Sequence, residues 1–415
     1  MTKNILQEYG VNPILCCGCG LCEYICPTQA ITMKLTATGV FTPNIVVSKC
    51  NDCSLCIQVC PSVSFDQMRL DKTIFRKERT PTEILLGIYE RAYIGYSVDK
   101  EIRSHAAAGG VVTGLLISAL DEGMIEGALI TKFNVRMMRA ESFIARSPNE
   151  LISGASSKYA PVSIGNALRK IRQEEGCFAV VGLPCHIQGI RKAEALEKNL
   201  REKILLHFGL MCGGTPTIHG TRFLLRLLDC TSQDLKDLSY REGEWPGNFS
   251  VTTKQNERKR IPLHRYSPII KAFLHPRCLI CWDFTNEYSD LSFSDAFWIT
   301  NAKKLGTTAI ISRTKTGSKL LIHAEQNDMI RLMDMEITDF LKEKKGNLDL
   351  KKTNLGLKMM LFKLVGGKPP KLYNYPSLTK FKALSALELG LRFLGYSIIN
   401  NKYVLRTLLS SLIKL

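Results

Sequence analysis

The chain has 415 residues, 45% of them hydrophobic, and a formal net charge of +18, so it can bury a sizeable core and is no disordered tail. No run of about 18 uncharged apolar residues occurs, which argues against a transmembrane helix, and the polar start from Met1 to Val11 lacks an export signal. The charge does not point to nucleic acid: twelve Lys or Arg against one acidic residue (Glu388) fall between Lys351 and Leu415, a net of +11 that leaves +7 for the first 350 residues, and no recognition motif accompanies them. Fifteen cysteines without an export signal indicate reduced thiols in the cytoplasm, where thiolate-bound iron survives.

Residues 1–70 are cysteine-dense and internally repeated. Cys16-x2-Cys19-x2-Cys22-x3-Cys26-Pro27 recurs as Cys50-x2-Cys53-x2-Cys56-x3-Cys60-Pro61, the spacing of bacterial ferredoxins, in which the fourth cysteine of each run ligates the other cluster. That rule assigns Cys16, Cys19, Cys22 and Cys60 to one [4Fe–4S] cluster and Cys50, Cys53, Cys56 and Cys26 to a second, in an α+β ferredoxin-like module. Zinc is the alternative, but zinc ribbons rarely set three cysteines at i, i+3 and i+6 before Cys-Pro. Gly18 and Gly20 let the first loop aim backbone N–H groups at sulfur; the second has Asn51, Asp52, Ser54 and Leu55 instead. Cys17 falls outside the pattern and reads as a bystander.

Residues 71–91 read as a charged linker helix. From Ala92 the pattern alternates, with strands expected at Gly127–Thr131, Cys177–Gly182 and Lys203–Leu210. Helices are expected at Val111–Asp121, Ile187–Glu197 and Ile218–Leu228. That alternation predicts an α/β domain with a largely parallel sheet over residues 92–324. Cys185 and Cys212 stand just past two of the strands, where an open sheet binds ligands, and Cys278-x2-Cys281 supplies a second pair. The four make a candidate third [4Fe–4S] site, with zinc or plain thiol packing as alternatives. Cys177 and Cys230 read as ordinary core or helix-end residues. Small residues in Ala106-Ala107-Ala108-Gly109-Gly110 open a helix whose N-terminus favours a phosphate, although such turns are common. His105 fits a surface position better than a catalytic one, and no catalytic acid or base stands out.

The last part, 325–415, reads as a basic helical region without cysteine. Leu384, Leu387, Leu391, Leu394 and Ile398 recur at helical spacing beside Lys380, Lys382 and Arg392. Such a face suits peripheral contact with an anionic membrane at its inner surface, or a helix packed on the main domain with a solvated basic side.

In order, RSHAAAGGVVTGLL, GASSKYAPVSIG, GLPCHIQGIRK, LHFGLMCGGTPT and RCLICWDFTNEYSDLSFSDAFW resemble the family of beta subunits of coenzyme F420 hydrogenases and dehydrogenases, from about Ala92 to Trp298. The resemblance implies that 92–324 is an FAD-binding domain passing electrons between iron–sulfur clusters and a two-electron partner, the deazaflavin coenzyme F420 in hydrogenase relatives. It places Ser104, Gly109, Gly110, Thr113, Lys158, Tyr159, Gly182 and Pro184 near the flavin, and Cys185, Cys212, Cys278 and Cys281 at a cluster beside it. Ala108 stands where the family usually has serine, and Ser294 where it usually has glycine before the aspartate. The expectation is an FAD- and iron–sulfur-dependent oxidoreductase served by a one-electron carrier such as ferredoxin and acting on a small organic redox substrate. The alternatives are a ferredoxin-dependent reductase of another substrate and a non-catalytic electron-transfer subunit of a larger complex.

Overall fold

The computed structural model describes residues 15–298, 305–364 and 369–373; the amphipathic stretch from Lys380 to Ile398 lies outside them. Among the described residues no helix is long and apolar enough to cross a membrane.

Each N-terminal cysteine loop leads into a short helix, Leu21–Ile25 and Leu55–Gln58. The loops share a backbone as well as a spacing: Gly18 and Gly20 have φ of +71° and +85°, and Asp52 and Ser54, in the same places of the second run, have +54° and +60°. Left-handed backbone costs a non-glycine residue about 1 kcal/mol or more, so the second loop keeps this shape against local preference. A hairpin of β1 (Ile31–Leu35) and β2 (Phe41–Ile45) lies between the loops, and β3 (Ser64–Asp66) closes the module.

The main sheet has eight strands: β4 (Arg91–Ser97), β5 (Gly127–Asn134), β6 (Arg139–Ala145), β7 (Phe178–Gly182), β8 (Ile204–Leu210), β12 (Leu291–Asp295), β13 (Thr308–Ser312) and β14 (Ile330–Asp334). Their order is β14-β4-β13-β12-β8-β7-β5-β6. At its heart β12, β8, β7 and β5 run parallel, and antiparallel strands flank them on both sides. The parallel sheet expected from the sequence is therefore the centre of a mixed one. Its middle strands are near-continuous apolar runs (FAVVG in β7, ILLHFGL in β8) because helices cover both faces. β14 pairs with β4, so the sheet continues past residue 324, and the last part, expected to be all helical, begins with a strand. A second sheet, order β11-β10-β9, comprises β9 (Leu235–Glu242), β10 (Asn248–Thr253) and β11 (Arg258–Pro262). It packs a satellite core around Tyr240, Phe249 and Tyr266. The short β15 (Lys371–Tyr373) adds to β3.

The module and the α/β domain are one body. Leu21, Tyr24, Ile25, Val59 and Phe65 share a hydrophobic cluster with Ile164, Leu168, Ile187, Ile190, Trp282 and Tyr288. At Gly20 a Cβ would stand 2.2 Å from Ser163 Oγ and 2.7 Å from Gly165 N, so the first cysteine loop touches the domain backbone to backbone. The expected linker is also fixed. It folds as helices Gln67–Ile74 and Pro81–Leu86, and between them Arg79 donates to Asp71 (2.7 and 2.8 Å), to Tyr288 Oη (3.0 Å) and to Glu287, out of solvent.

In β8, fully buried His207 sets its ring nitrogens against Glu194 at 2.6 Å and Asp290 at 3.0 Å. Burial and neighbouring Arg191 both work against its charge, but the two carboxylates outweigh them and raise its pKa. Raised pKa means that its stabilising contribution is complete below the unfolded value of about 6.5 and is lost as pH rises through the folded value. Glu194 and Asp290 are held below the carboxylate range, despite burial, by His207 and Arg191, so they contribute above about pH 4 and fail in acid. Thermal unfolding followed across pH should therefore fall off on the alkaline side, and His207→Gln should flatten that limb. An unchanged alkaline limb in the variant would show that His207 is not charged in the native state.

Candidate functional site

Thiols from both N-terminal runs meet in the module. Cys16, Cys19, Cys22 and Cys60 line one apolar cavity of about 30 Å³ with Ile31, Met33, Pro43 and Ile45, and Cys17 and Cys56 also reach it. Cys26 instead stands with Cys50, Cys53 and Cys56: burial and then Cys53, Cys26 and Cys50 push the Cys56 thiol up to about 11. Among the described residues no three His, Cys, Asp or Glu side chains converge on a point as one metal ion would require. Thiols ringing a space suit a cluster with a volume of its own. Cys19 is buried toward the domain, whereas Cys53 is exposed.

A third group assembles at the domain's edge. Cys185 opens the helix Pro184–Glu194, Cys212 follows β8, Cys278 lies in the helix Pro276–Leu279 and Cys281 follows it. Cys185 feels the charge of Cys212 and Cys278, and Cys212 that of Cys278 and Cys281. Burial pushes Cys212 up to about 12, and Thr215 N donates to Cys278 Sγ at 3.3 Å. Cys17, outside the motif, lines the same cavity as Cys19, and the Cys185 and Cys19 thiols hold its pKa down.

The Pro184–Glu194 helix joins the first and third groups. Cys185 lies in its first turn, and two turns on Lys192 Nζ donates to the carbonyls of Cys60 (2.7 Å) and Ser64 (2.8 Å). Burial lowers the Lys192 pKa to about 8, with Cys60 and Cys19 opposing. Arg277 spans the same boundary, donating from Nε to Ser62 Oγ at 3.1 Å while stacked over Trp282.

A larger cavity of about 330 Å³ opens at the carboxyl ends of β7, β8 and β12, lined by Gly182, Leu210, Met211, Phe293 and Asp295; ligands bind at such an edge in open α/β sheets. Of the residues singled out in the sequence, Gly110, Thr113, Lys158, Tyr159 and Gly182 line it. Ser104 does not; its hydroxyl donates to Glu101 O within its own helix. Pro184, the first residue of its helix, does not line it either. Cys212, Gly213 and Gly214 line the cavity too, so it abuts the third thiol group. So does His186, the neighbour of Cys185, which burial keeps neutral. Lys158 Nζ donates to the carbonyls of Gly154, Ala155 (2.6 Å) and Ser156 (3.1 Å), and burial lowers its pKa to about 7. Arg241 ties the wall together, donating to Ala107 O (2.7 Å), Asp295 (3.0 Å) and Tyr159 Oη (3.3 Å). Ala108 and Ser294, the two departures from the family pattern, both face this space.

Gly109 and Gly110 serve the fold first. A Cβ on Gly109 would stand 2.6 Å from the carbonyl oxygen of Gly95 in β4, and Gly110, at φ +77°, would meet Arg103 and Ser97. Gly109→Val should therefore cost about 1–3 kcal/mol by overpacking, before any effect on a ligand. Chemical denaturation of the ligand-free variant measures this; unaltered stability would return the glycine pair to a purely ligand-facing role.

Sequence reasoning missed Arg277, Lys192 and Arg241. Only Arg277, adjacent to Cys278, carried a local signal.

Comparison with known proteins adds three family matches. Residues 15–63 match the 4Fe-4S dicluster domain. Residues 92–169 and 176–338 match the N-terminal and C-terminal parts of the coenzyme F420 hydrogenase/dehydrogenase beta subunit. The chain is 28% identical over 259 residues to the beta subunit of the coenzyme F420 hydrogenase of Methanothermobacter thermautotrophicus, covering 61% of this chain and 87% of that one. It is 26% identical over 344 residues to one of the subunits of the F(420)H(2) dehydrogenase of Methanosarcina mazei, covering 81% and 87%. Its fold is similar to a chain of the F420-reducing [NiFe] hydrogenase complex from Methanosarcina barkeri, with a TM-score of 0.55 and 19% identity over 72% of this chain and all of that one.

Proposed function

The chain belongs to the family of coenzyme F420 hydrogenase/dehydrogenase beta subunits and carries a 4Fe-4S dicluster domain. From that premise we propose that it is an iron–sulfur flavoprotein oxidoreductase moving electrons between [4Fe–4S] clusters, FAD and a two-electron partner of the coenzyme F420 type. The observation that carries the reading is adjacency. The inner thiol group of the module, the third group and the large cavity follow one another, with Cys17 and the Pro184–Glu194 helix joining the first two and Cys212 shared by the last two.

In this reading Cys50, Cys53, Cys56 and Cys26 hold the outer cluster, the one nearest solvent and nearest a one-electron carrier. Cys16, Cys19, Cys22 and Cys60 hold the inner cluster, and Cys185, Cys212, Cys278 and Cys281 a third. The cavity suits a flavin by its place at the carboxyl ends of the strands and by the helix N-terminus at Gly110, whose N–H groups favour a phosphate. When bound, FAD supplies the exchange between single electrons and hydride. Lys158 and Tyr159 stand on one wall, and a lysine with a pKa near 7 can gain or lose a proton at Nζ under working conditions. Arg241 holds Asp295 and Ala107 in register across the opening.

Protein subunit partners are proposed with the same reading, because relatives are named as subunits of hydrogenases and dehydrogenases. The test is turnover of the anaerobic whole chain with reduced viologen as donor and coenzyme F420 as acceptor, read by F420 absorbance. Consumption of F420 is the expected result. Cofactor reduction without F420 consumption would remove F420 as the substrate and leave an electron-transfer subunit.

A further inference from the structure

Three cations are buried against the third thiol group, Lys351, Arg277 and Lys358, the last 0% exposed and donating to the Cys281 carbonyl at 3.5 Å; the first two form no ion pair with an acidic side chain among the described residues. Lys351 is 1% exposed, and its ammonium donates to the carbonyl of Cys278 at 3.1 Å. No carboxylate lies within ion-pair distance of it among the described residues, and its charged neighbours are Cys281, Cys278, Cys212 and the like-charged Arg277. Arg277 is 3% exposed; its Nε and Nη2 are taken by Ser62 and Pro61, and Nη1 has no hydrogen-bond partner among the described residues. The next buried charges along the chain are paired among themselves: Glu287 with Arg79 and Lys352, and Asp71 with Arg79. Burying an ammonium unpaired is costly, and negative charge where the four thiols are would offset that cost.

The geometry points to Lys351, with Arg277, as the charge partner that sets the potential of the third cluster. This rests on the reading that Cys185, Cys212, Cys278 and Cys281 hold one. Net charge around a cluster and hydrogen bonds to its ligands are among the main determinants of its potential. Reduction adds one electron and so one negative charge, which a buried cation beside the ligands favours. Lys351 therefore raises the third cluster above the two of the N-terminal module, where the lysine nearest Cys60, Lys192, is only half-buried and is spent on two backbone carbonyls. Electrons supplied by a one-electron carrier then run downhill toward the cavity. Lys351 lies beyond residue 338, where the family match ends, and belongs to the segment that the sequence presented as a basic helical tail.

The experiment is an EPR-monitored redox titration of the anaerobic whole chain with dithionite, the third signal being the one lost in Cys185→Ser with Cys278→Ser. Lys351→Gln keeps a donor for the Cys278 carbonyl and removes only the charge; Lys351→Met is the second variant, should Gln impair folding. Either should keep the iron content of the parent and move the midpoint of the third signal to lower potential. Lys351→Arg should stay near the parent, and Lys345→Met on the exposed surface should change nothing. Full iron with an unmoved midpoint in both charge-removing variants overturns the inference and leaves the third cluster standing. A parent protein with no third signal overturns both.

Discussion

Replacing Cys185 and Cys278 together by serine should remove about four of about twelve irons per chain, leaving the two signals of the N-terminal module intact. Flavin should still bind, because neither residue lines the cavity, but its reduction by the N-terminal clusters should slow by orders of magnitude, since the relay between the inner cluster and the cavity is gone. Iron analysis, EPR and stopped-flow absorbance read the three parts separately. Full iron together with an unchanged reduction rate would mean that the four thiols only pack, as free cysteines often do.

The second large effect concerns the former linker. Arg79→Met would leave Asp71 and Glu287 buried around an uncharged side chain, and breaking a buried pair by removing one partner typically costs about 3–5 kcal/mol. Lys352 still answers Glu287, so Asp71 bears most of the loss. Because Arg79 pins the segment after the module to the segment after Cys281, the denaturant midpoint should drop and the module should become more susceptible to protease. A variant as stable as the parent would show that the module is held by its hydrophobic contacts alone.

Much of the site was legible because it depends on spacing. The two cysteine runs state their chemistry locally, the dicluster match over residues 15–63 agrees with them, and thiols of both runs meet in the fold. Strands β5, β7 and β8 and the helices from Val111 and Ile218 begin within a residue of where apolar periodicity puts them, since each buries a whole face in one core. The helix at Cys185 begins three residues early, at Pro184, which is favoured at a first helical position.

The rest depends on contacts between distant segments. The sheet β9–β11 is short and rich in polar and charged residues, so it showed no strand signal; it is held by Tyr240, Phe249 and Tyr266 meeting from separate elements. The flanking antiparallel strands β13 and β14 are set by pairing with β4 far back in the chain. Residues 71–91 looked solvated because they are charged, yet Asp71 and Arg79 are buried partners. Lys351 misled in the same way: a lysine reads as surface until the anions it faces are placed. Gly20 and Gly109 also sit close against the protein's own backbone, a contact the sequence did not signal.

The central claim, that three clusters and a flavin lie in sequence in this one chain, is tested most directly by the iron and flavin content of anaerobically prepared whole protein. The account predicts about twelve irons and one FAD per chain. About eight irons with no flavin after reconstitution would contradict it, confining the cofactors to the N-terminal module.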